Sequence, residues 1–384
     1  MARWFVGNFH FEHRLADPSA ALSVRLQRLD AELAAAWLPV ADDRDVVWTP
    51  RSIPAEFWDA MAARGFPRVQ PAADWRGCPP EALLVPWGWT PELCACRSAQ
   101  QPPDPQVVRR LNSRRWSAEL ELAWGTALPG SSICCSLEEV VAAIARLPGI
   151  DPVWVIKAEF GMSGRERCLG RGPLATPAVS WTQRRLRRDG VVFLEPWVAP
   201  VEEAGLLWEV PRRAPPQLVG VVPMHVDEHG HYRGSWFRGT PPSPRHLSDQ
   251  PEGAPLNAPG AAQPGGAASW DEAVAATAQV AEMAQRAGYH GPLGIDVMRY
   301  RDASGAVRLR PLQDVNARWT MGRLALGWRR WFADPSWGLW WHGPAHELDR
   351  GPLAALPEGR VIRTSPGFID HQPAQLASAV VVRM

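Results

Sequence analysis

Val153-Trp154-Val155-Ile156-Lys157-Ala158-Glu159-Phe160-Gly161-Met162-Ser163-Gly164 is the stretch from which this 384-residue chain can be read. Three β-branched residues and a tryptophan predict a strand. The strand ends on a lysine and opens into a loop with two glycines and a serine. Backbone N–H groups in such a loop can cradle phosphate oxygens, and the lysine adds a compact point charge. No Gly-Lys-Ser/Thr closes the loop, so it is not a Walker A motif, and its glycine spacing is not that of a dinucleotide fingerprint. Among the 41 Lys and Arg residues, Lys157 is the single lysine. In a chain that otherwise uses arginine, a retained lysine points to a site shaped for a slim point charge rather than a planar fork.

Two strands are predicted further on, over 293–300 and 307–315, around the turn Asp302-Ala303-Ser304-Gly305. Asp314 and Asn316 are two apart and share a strand face. Folding the hairpin about its turn brings Asp296 opposite the stretch near 311–314. One surface then carries Asp296, Asp314 and Asn316. These oxygen ligands suit Mg²⁺, whose shell is completed by phosphate oxygens. Arg318 follows on the same alternation. Between the two regions, Phe193-Leu194-Glu195-Pro196-Trp197-Val198 reads as a strand entering a Pro-containing connection, whose backbone can offer N–H and C=O groups to an adenine edge.

In this order the three segments resemble the ATP-grasp family over residues 105–325. The resemblance implies that Lys157 touches the α/β-phosphates and that Gly161, Ser163 and Gly164 belong to a covering loop. It implies that Glu195 and Val198 flank the adenine hinge. Asp296, Asp314 and Asn316 become Mg²⁺ ligands, with Mn²⁺ as an alternative, and Arg318 meets the triphosphate or an acyl phosphate. Asn112-Ser113-Arg114 resembles the segment that carries the family's first nucleotide-contacting lysine; here that position is Arg114 or Arg115. Asp314 stands where Glu is commoner. The fold implied is α/β, with an α+β ATP-grasp core: a Rossmann-like domain over 1–104, subdomains over 105–195 and 196–330, and a Trp-rich extension over 331–384. The activity implied is ATP-dependent activation of a substrate carboxylate as an acyl phosphate and its joining to an amine. Small molecules or peptides are the expected substrates. The alternatives are a phosphotransferase, a carboxylate–thiol ligase, or a nucleotide-binding or scaffold protein without catalysis.

The rest of the chain is consistent with a globular enzyme. Residues 1–100 alternate strand-like and helix-like segments, among them 45–48, 82–86, a helical stripe over 20–37 and a helix over 54–64, which suggests a small parallel α/β unit. Ser136-Leu137-Glu138-Glu139 and Ser269-Trp270-Asp271-Glu272 read as capping boxes. The Pro/Gly/Ala-rich stretch 241–268 reads as a long mobile loop that could act as a lid. A net charge of +1 gives no support for a nucleic-acid binder. No apolar run is long enough to span a membrane, and the N-terminus has no signal-like apolar core, so a cytoplasmic chain is expected. Homodimerisation is left open. The six cysteines read as reduced structural thiols rather than a zinc site, and the tryptophans of 319–341 as core or interface filling.

Overall fold

The structure, a computed structural model, describes residues 2–19, 21–161, 166–227, 229–239, 269–332, 337–350 and 359–383. Ser163, Gly164 and the loop over 241–268 lie outside the described residues.

The first unit is a parallel sheet of β1 (Arg3–Val6), β2 (Val46–Trp48), β3 (Gln70–Ala72) and β4 (Leu83–Pro86), in the order β3-β2-β1-β4. Phe5, Val6, Val47 and Leu84 are buried, as expected for a parallel sheet covered on both faces. Polar Gln70-Pro71-Ala72 gave no strand signal, yet it pairs at the sheet edge, where a proline is tolerated. The helical stripe over 20–37 divides in two. Ser23 caps a helix over Val24–Glu32, and a 3₁₀ turn over Ala34–Trp37 follows. That turn seats Trp37 against Phe5, with ring centroids 4.8 Å apart.

The second unit is an antiparallel sheet of β5 (Ser132–Cys134), β6 (Val153–Lys157), β7 (Arg167–Arg171) and β8 (Val192–Pro196), in the order β5-β8-β6-β7. The helix Leu137–Ala145 starts at Ser136, whose hydroxyl accepts from the Glu139 N–H at 3.1 Å. Val140, Ile144, Ala178, Trp154, Ile156, Val192 and Leu194 form its core. The second capping box is displaced: the helix Asp271–Arg286 begins two residues after Ser269, whose hydroxyl accepts from the Asp271 N–H instead.

The third unit holds β9 (Ala199–Val210), β10 (Gln217–Val226), β11 (Tyr232–Arg238), β12 (Gly291–Arg301), β13 (Val307–Asn316), β14 (Trp337–Pro344), β15 (Gly359–Arg363), the small pair β16 (Phe368–Ile369) and β17 (Gln372–Pro373), and β18 (Leu376–Arg383). Eight of these strands form one antiparallel sheet, ordered β13-β12-β9-β10-β11-β14-β18-β15. The Trp-rich C-terminal stretch therefore continues the large sheet. Trp328 and Trp340 are fully buried, with ring centroids 6.0 Å apart, so these tryptophans fill core space. No helix of the described residues is long and apolar enough to cross a membrane. The six cysteines are free, and the described residues hold no cluster of three or more His, Cys, Asp or Glu arranged for a metal.

One buried ion network joins three of these elements. Arg310 of β13 is 1% exposed, Glu121 of the helix Arg114–Trp124 is 3% and Glu195 of β8 is 7%. Arg310 Nε and Nη2 donate to the two Glu121 oxygens at 2.6 and 2.7 Å. Its Nη1 and Nη2 donate to the two Glu195 oxygens at 3.0 and 3.1 Å. Removing a buried cation leaves its carboxylates uncompensated, at a cost of about 3–5 kcal/mol. Arg310→Met, which keeps bulk but loses the fork, is expected to destabilise the chain by about that amount. Calorimetric unfolding would show a clearly lower midpoint, and an unchanged midpoint would mean that the two glutamates do not depend on the arginine.

Candidate active site

β6 and β8 are antiparallel neighbours: Lys157 pairs with Phe193 and Val155 with Glu195, so Lys157 and Glu195 are diagonal neighbours on one face of the sheet. Val198 follows in the connection to β9. On the large sheet, Asp296 of β12 lies directly across from Asp314 of β13, as the hairpin reading expects. The register then shifts, with Met298 facing Arg310, so a bulge containing Pro311 separates Arg310 from Asp314. Simple alternation would put Leu312 on the site face. The bulge instead buries Leu312 and turns Gln313 toward the site.

These elements enclose a cavity of about 410 Å³. Lys157, Gly161, Glu195, Val198, Arg114 and Arg318 line it, as do Asp296, Asp314 and Asn316. Every sequence-predicted site residue among the described ones is thus in one place. Of the two arginine alternatives, Arg114 lines the cavity, whereas Arg115 lies 4.0 Å from Glu119 on the solvent side of its helix. Arg318 reaches the cavity by a turn rather than by continued strand: β13 ends at Asn316, and the Arg318 N–H donates to the Asn316 carbonyl at 2.8 Å.

The charges are closely matched. Lys157 Nζ lies 2.6 Å from Glu195 Oε2. Burial opposes ionisation of Glu195, but Arg310 and Lys157 overcome it and hold the carboxyl well below the usual carboxylate range. Burial lowers the Lys157 pKa against the opposing pull of Glu195. Arg114 Nη1 lies 3.1 Å from Asp314 Oδ2. Arg318 Nη2 donates to Asn316 Oδ1 at 2.8 Å and lies 2.5 Å from Glu12 Oε1, with its guanidinium over the Trp87 ring. Asn316 Nδ2 donates to Asp296 Oδ2 at 3.2 Å. Burial, followed by the facing Asp314, pushes the Asp296 carboxyl up to about 7. Two adjacent, partly uncompensated carboxyls and an amide oxygen are a hard-oxygen donor set that fits Mg²⁺. Leu128, Val155 and Met298 give the Val198 end an apolar wall.

Several lining residues carried no sequence signal. Glu203 projects from β9 two residues before Gly205, and burial raises its pKa. Trp87 comes from the loop after β4; Glu12, in the short helix after β1, does not line the cavity itself but lies behind it against Arg318. Glu121, which supports Glu195 through Arg310 without lining the cavity, had a readable signal: Arg114, Ser117 and Glu121 recur at helical spacing, and the last two are buried.

No protein-family profile and no curated protein sequence matches the chain. Its fold does have solved neighbours. N5-carboxyaminoimidazole synthetase from Staphylococcus aureus is 10% identical with a TM-score of 0.53, over 99% of this chain and 92% of that one. The same synthetase complexed with ADP gives a TM-score of 0.50 at 10% identity, with the same coverage. The biotin carboxylase domain of the Hydrogenobacter thermophilus 2-oxoglutarate carboxylase, in complex with MgADP, ADP and bicarbonate, is 12% identical with a TM-score of 0.51, over 100% of this chain and 86% of that one. These likenesses show the fold: a mixed α/β chain with a parallel leading sheet and a large antiparallel sheet, the ATP-grasp fold.

Proposed function

We propose that the chain is an ATP-dependent ligase that activates a substrate carboxylate as an acyl phosphate and joins it to an amine, releasing ADP and phosphate. The observation that carries this reading is the convergence of Lys157, Arg114, Arg318, Asp296, Asp314 and Asn316 on one cavity in an ATP-grasp fold. ADP in the Staphylococcus aureus synthetase and MgADP with bicarbonate in the Hydrogenobacter thermophilus domain support the nucleotide and the carboxylate chemistry by likeness of fold.

The adenine sits against Val198 and the apolar wall, beside Glu195. Lys157 and Arg114 take phosphate oxygens, and Gly161 permits close approach of the backbone. Asp296, Asp314 and Asn316 would hold Mg²⁺, which neutralises phosphate charge. Arg318, held over Trp87, offsets charge developing on the transferred phosphoryl group or orients the acceptor carboxylate. Catalysis on this reading is positioning and charge stabilisation, with no covalent step on the protein. Nucleophilic attack on the acyl carbon forms the C–N bond and expels phosphate.

A screen of carboxylates and amines for ADP release, with mass spectrometry of the product, tests the reaction class. An amide product supports ligation; a phosphorylated or thioester product replaces it, and ADP release with no partner pair contradicts it. Lys157→Ala is expected to lower kcat/KM by about 10²-fold or more, the scale of losing one preorganised charge-stabilising donor. Lys157→Arg should fail similarly, since Arg310 already occupies the other side of Glu195. Turnover at the wild-type rate in Lys157→Ala would refute the assignment. Asp314→Asn combined with Asn316→Ala is expected to abolish Mg²⁺-dependent turnover and to remove Mn²⁺ binding in the presence of ADP, as read by electron paramagnetic resonance. Retained activity would refute the metal site.

A further inference from the structure

We propose that Arg114 gates the metal: in the nucleotide-free chain its guanidinium holds Asp314, and a divalent cation gains that carboxylate only when nucleotide phosphates draw the arginine away. The inference rests on the metal assignment above. Arg114 Nη1 lies 3.1 Å from Asp314 Oδ2, and the two side chains are 13% and 26% exposed. The remaining oxygen, Oδ1, accepts from the Val315 N–H at 3.1 Å. Both oxygens of Asp314 are therefore engaged by the chain itself. Across the strands, Asp296 receives only the Asn316 amide and has no cation within ion-pair distance among the described residues. Among the described residues, the one positive charge directly on this carboxylate pair is the Arg114 guanidinium, and a metal at Asp314 would have to displace it.

Arg114 is built to move at one end only. It is the first residue of its helix, behind the Ser113 cap, and its backbone N–H donates to the Glu159 carbonyl at 3.2 Å. Its backbone is fixed beside the end of β6. The guanidinium is held by contacts that a phosphate can replace: the pair with Asp314 at 3.1 Å and a 3.2 Å bond from Nε to the Ala158 carbonyl. Ala158 follows Lys157, so the side chain already lies on the phosphate side of the cavity. The planar fork reaches the carboxylate and the carbonyl from separate nitrogens in fixed directions, Nη1 and Nε, whereas a lysine would have to reach both from one nitrogen. That gives arginine a specific use at this position. A phosphate competes for the fork with more charge than one carboxylate. Transfer of the guanidinium then releases Asp314 at the moment the phosphate supplies the other metal ligands, so metal and nucleotide bind cooperatively.

The test is Mn²⁺ binding to the full-length chain by electron paramagnetic resonance, with and without saturating ADP, in wild type, Arg114→Met and Arg114→Gln. The glutamine keeps a donor for the Ala158 carbonyl and serves if the methionine variant does not fold. Without ADP, both variants are expected to bind Mn²⁺ about tenfold more tightly than wild type, a typical size for one such coupling. With ADP the gap should close, so the enhancement of Mn²⁺ affinity by ADP shrinks by the same factor. An equal gain with and without ADP would reduce Arg114 to a distant like charge and overturn the gate, as would no gain in either state. Asp314→Asn with ADP separates the two levels. If it binds Mn²⁺ as wild type does, the metal assignment fails and the gate with it. If it loses Mn²⁺ while the Arg114 variants match wild type, only the gate fails.

Discussion

The structure depends on one buried guanidinium. Arg310 grips Glu121 and Glu195 from between a helix, β8 and β13, and the second of these carboxylates also receives Lys157. Such charges are tolerated away from water only when each is matched and hydrogen-bonded. Here the two carboxylates meet two cations, and the fork satisfies four carboxylate contacts from one side chain. The network fixes where β6 and β8 end relative to β13, and so where Lys157 stands relative to Asp296 and Asp314. It also explains why the neighbouring cation is a lysine. Glu195 Oε2 is shared with Arg310 Nη1, leaving space for a slim ammonium.

The same principle recurs across the cavity. Each cation aimed at the proposed phosphate path is held on an acidic or amide partner: Lys157 on Glu195, Arg114 on Asp314, and Arg318 on Asn316 and Glu12. A cavity lined this way is close to neutral before anything binds, and its donors are already directed inward. A polyanion with its metal then exchanges partners rather than ordering loose side chains, which is the electrostatic preorganisation that charge-stabilising catalysis requires. Asp296 is the exception, with a carboxyl raised by burial and by its neighbour. The charge deficit of the site is localised there, where the proposed cation belongs.

What could be read in advance follows from the range of the interactions. Strand alternation and the hairpin at Asp302–Gly305 are local, so Asp296 opposite the stretch near 311–314 could be read from spacing, while the bulge decides that its partner is Asp314. The Lys157 loop was equally local, and the composition singled out its lysine. The Arg310–Glu121 pair spans 189 residues, and nothing near either partner announces the other. Glu12 and Trp87 reach Arg318 from the leading sheet only after the units dock, through contacts such as the Trp319 N–H to the Trp87 carbonyl at 3.0 Å. The β12–β13 bulge defeated simple alternation at Leu312 and Gln313. The C-terminal strands were hidden for a different reason: β18 is paired on both sides, by β14 and β15, and Ala377 to Val382 are buried in succession, so its apolar residues are continuous and show no period.

The central claim, that this cavity is a nucleotide-metal site, is tested most directly by a crystal structure with a non-hydrolysable ATP analogue and Mg²⁺. The expected result places the adenine beside Val198, the phosphates at Lys157 and Arg114, and the metal on Asp296, Asp314 and Asn316, with the Arg114–Asp314 contact broken. An analogue bound elsewhere, or phosphates in this cavity with no metal on the two aspartates, would contradict it.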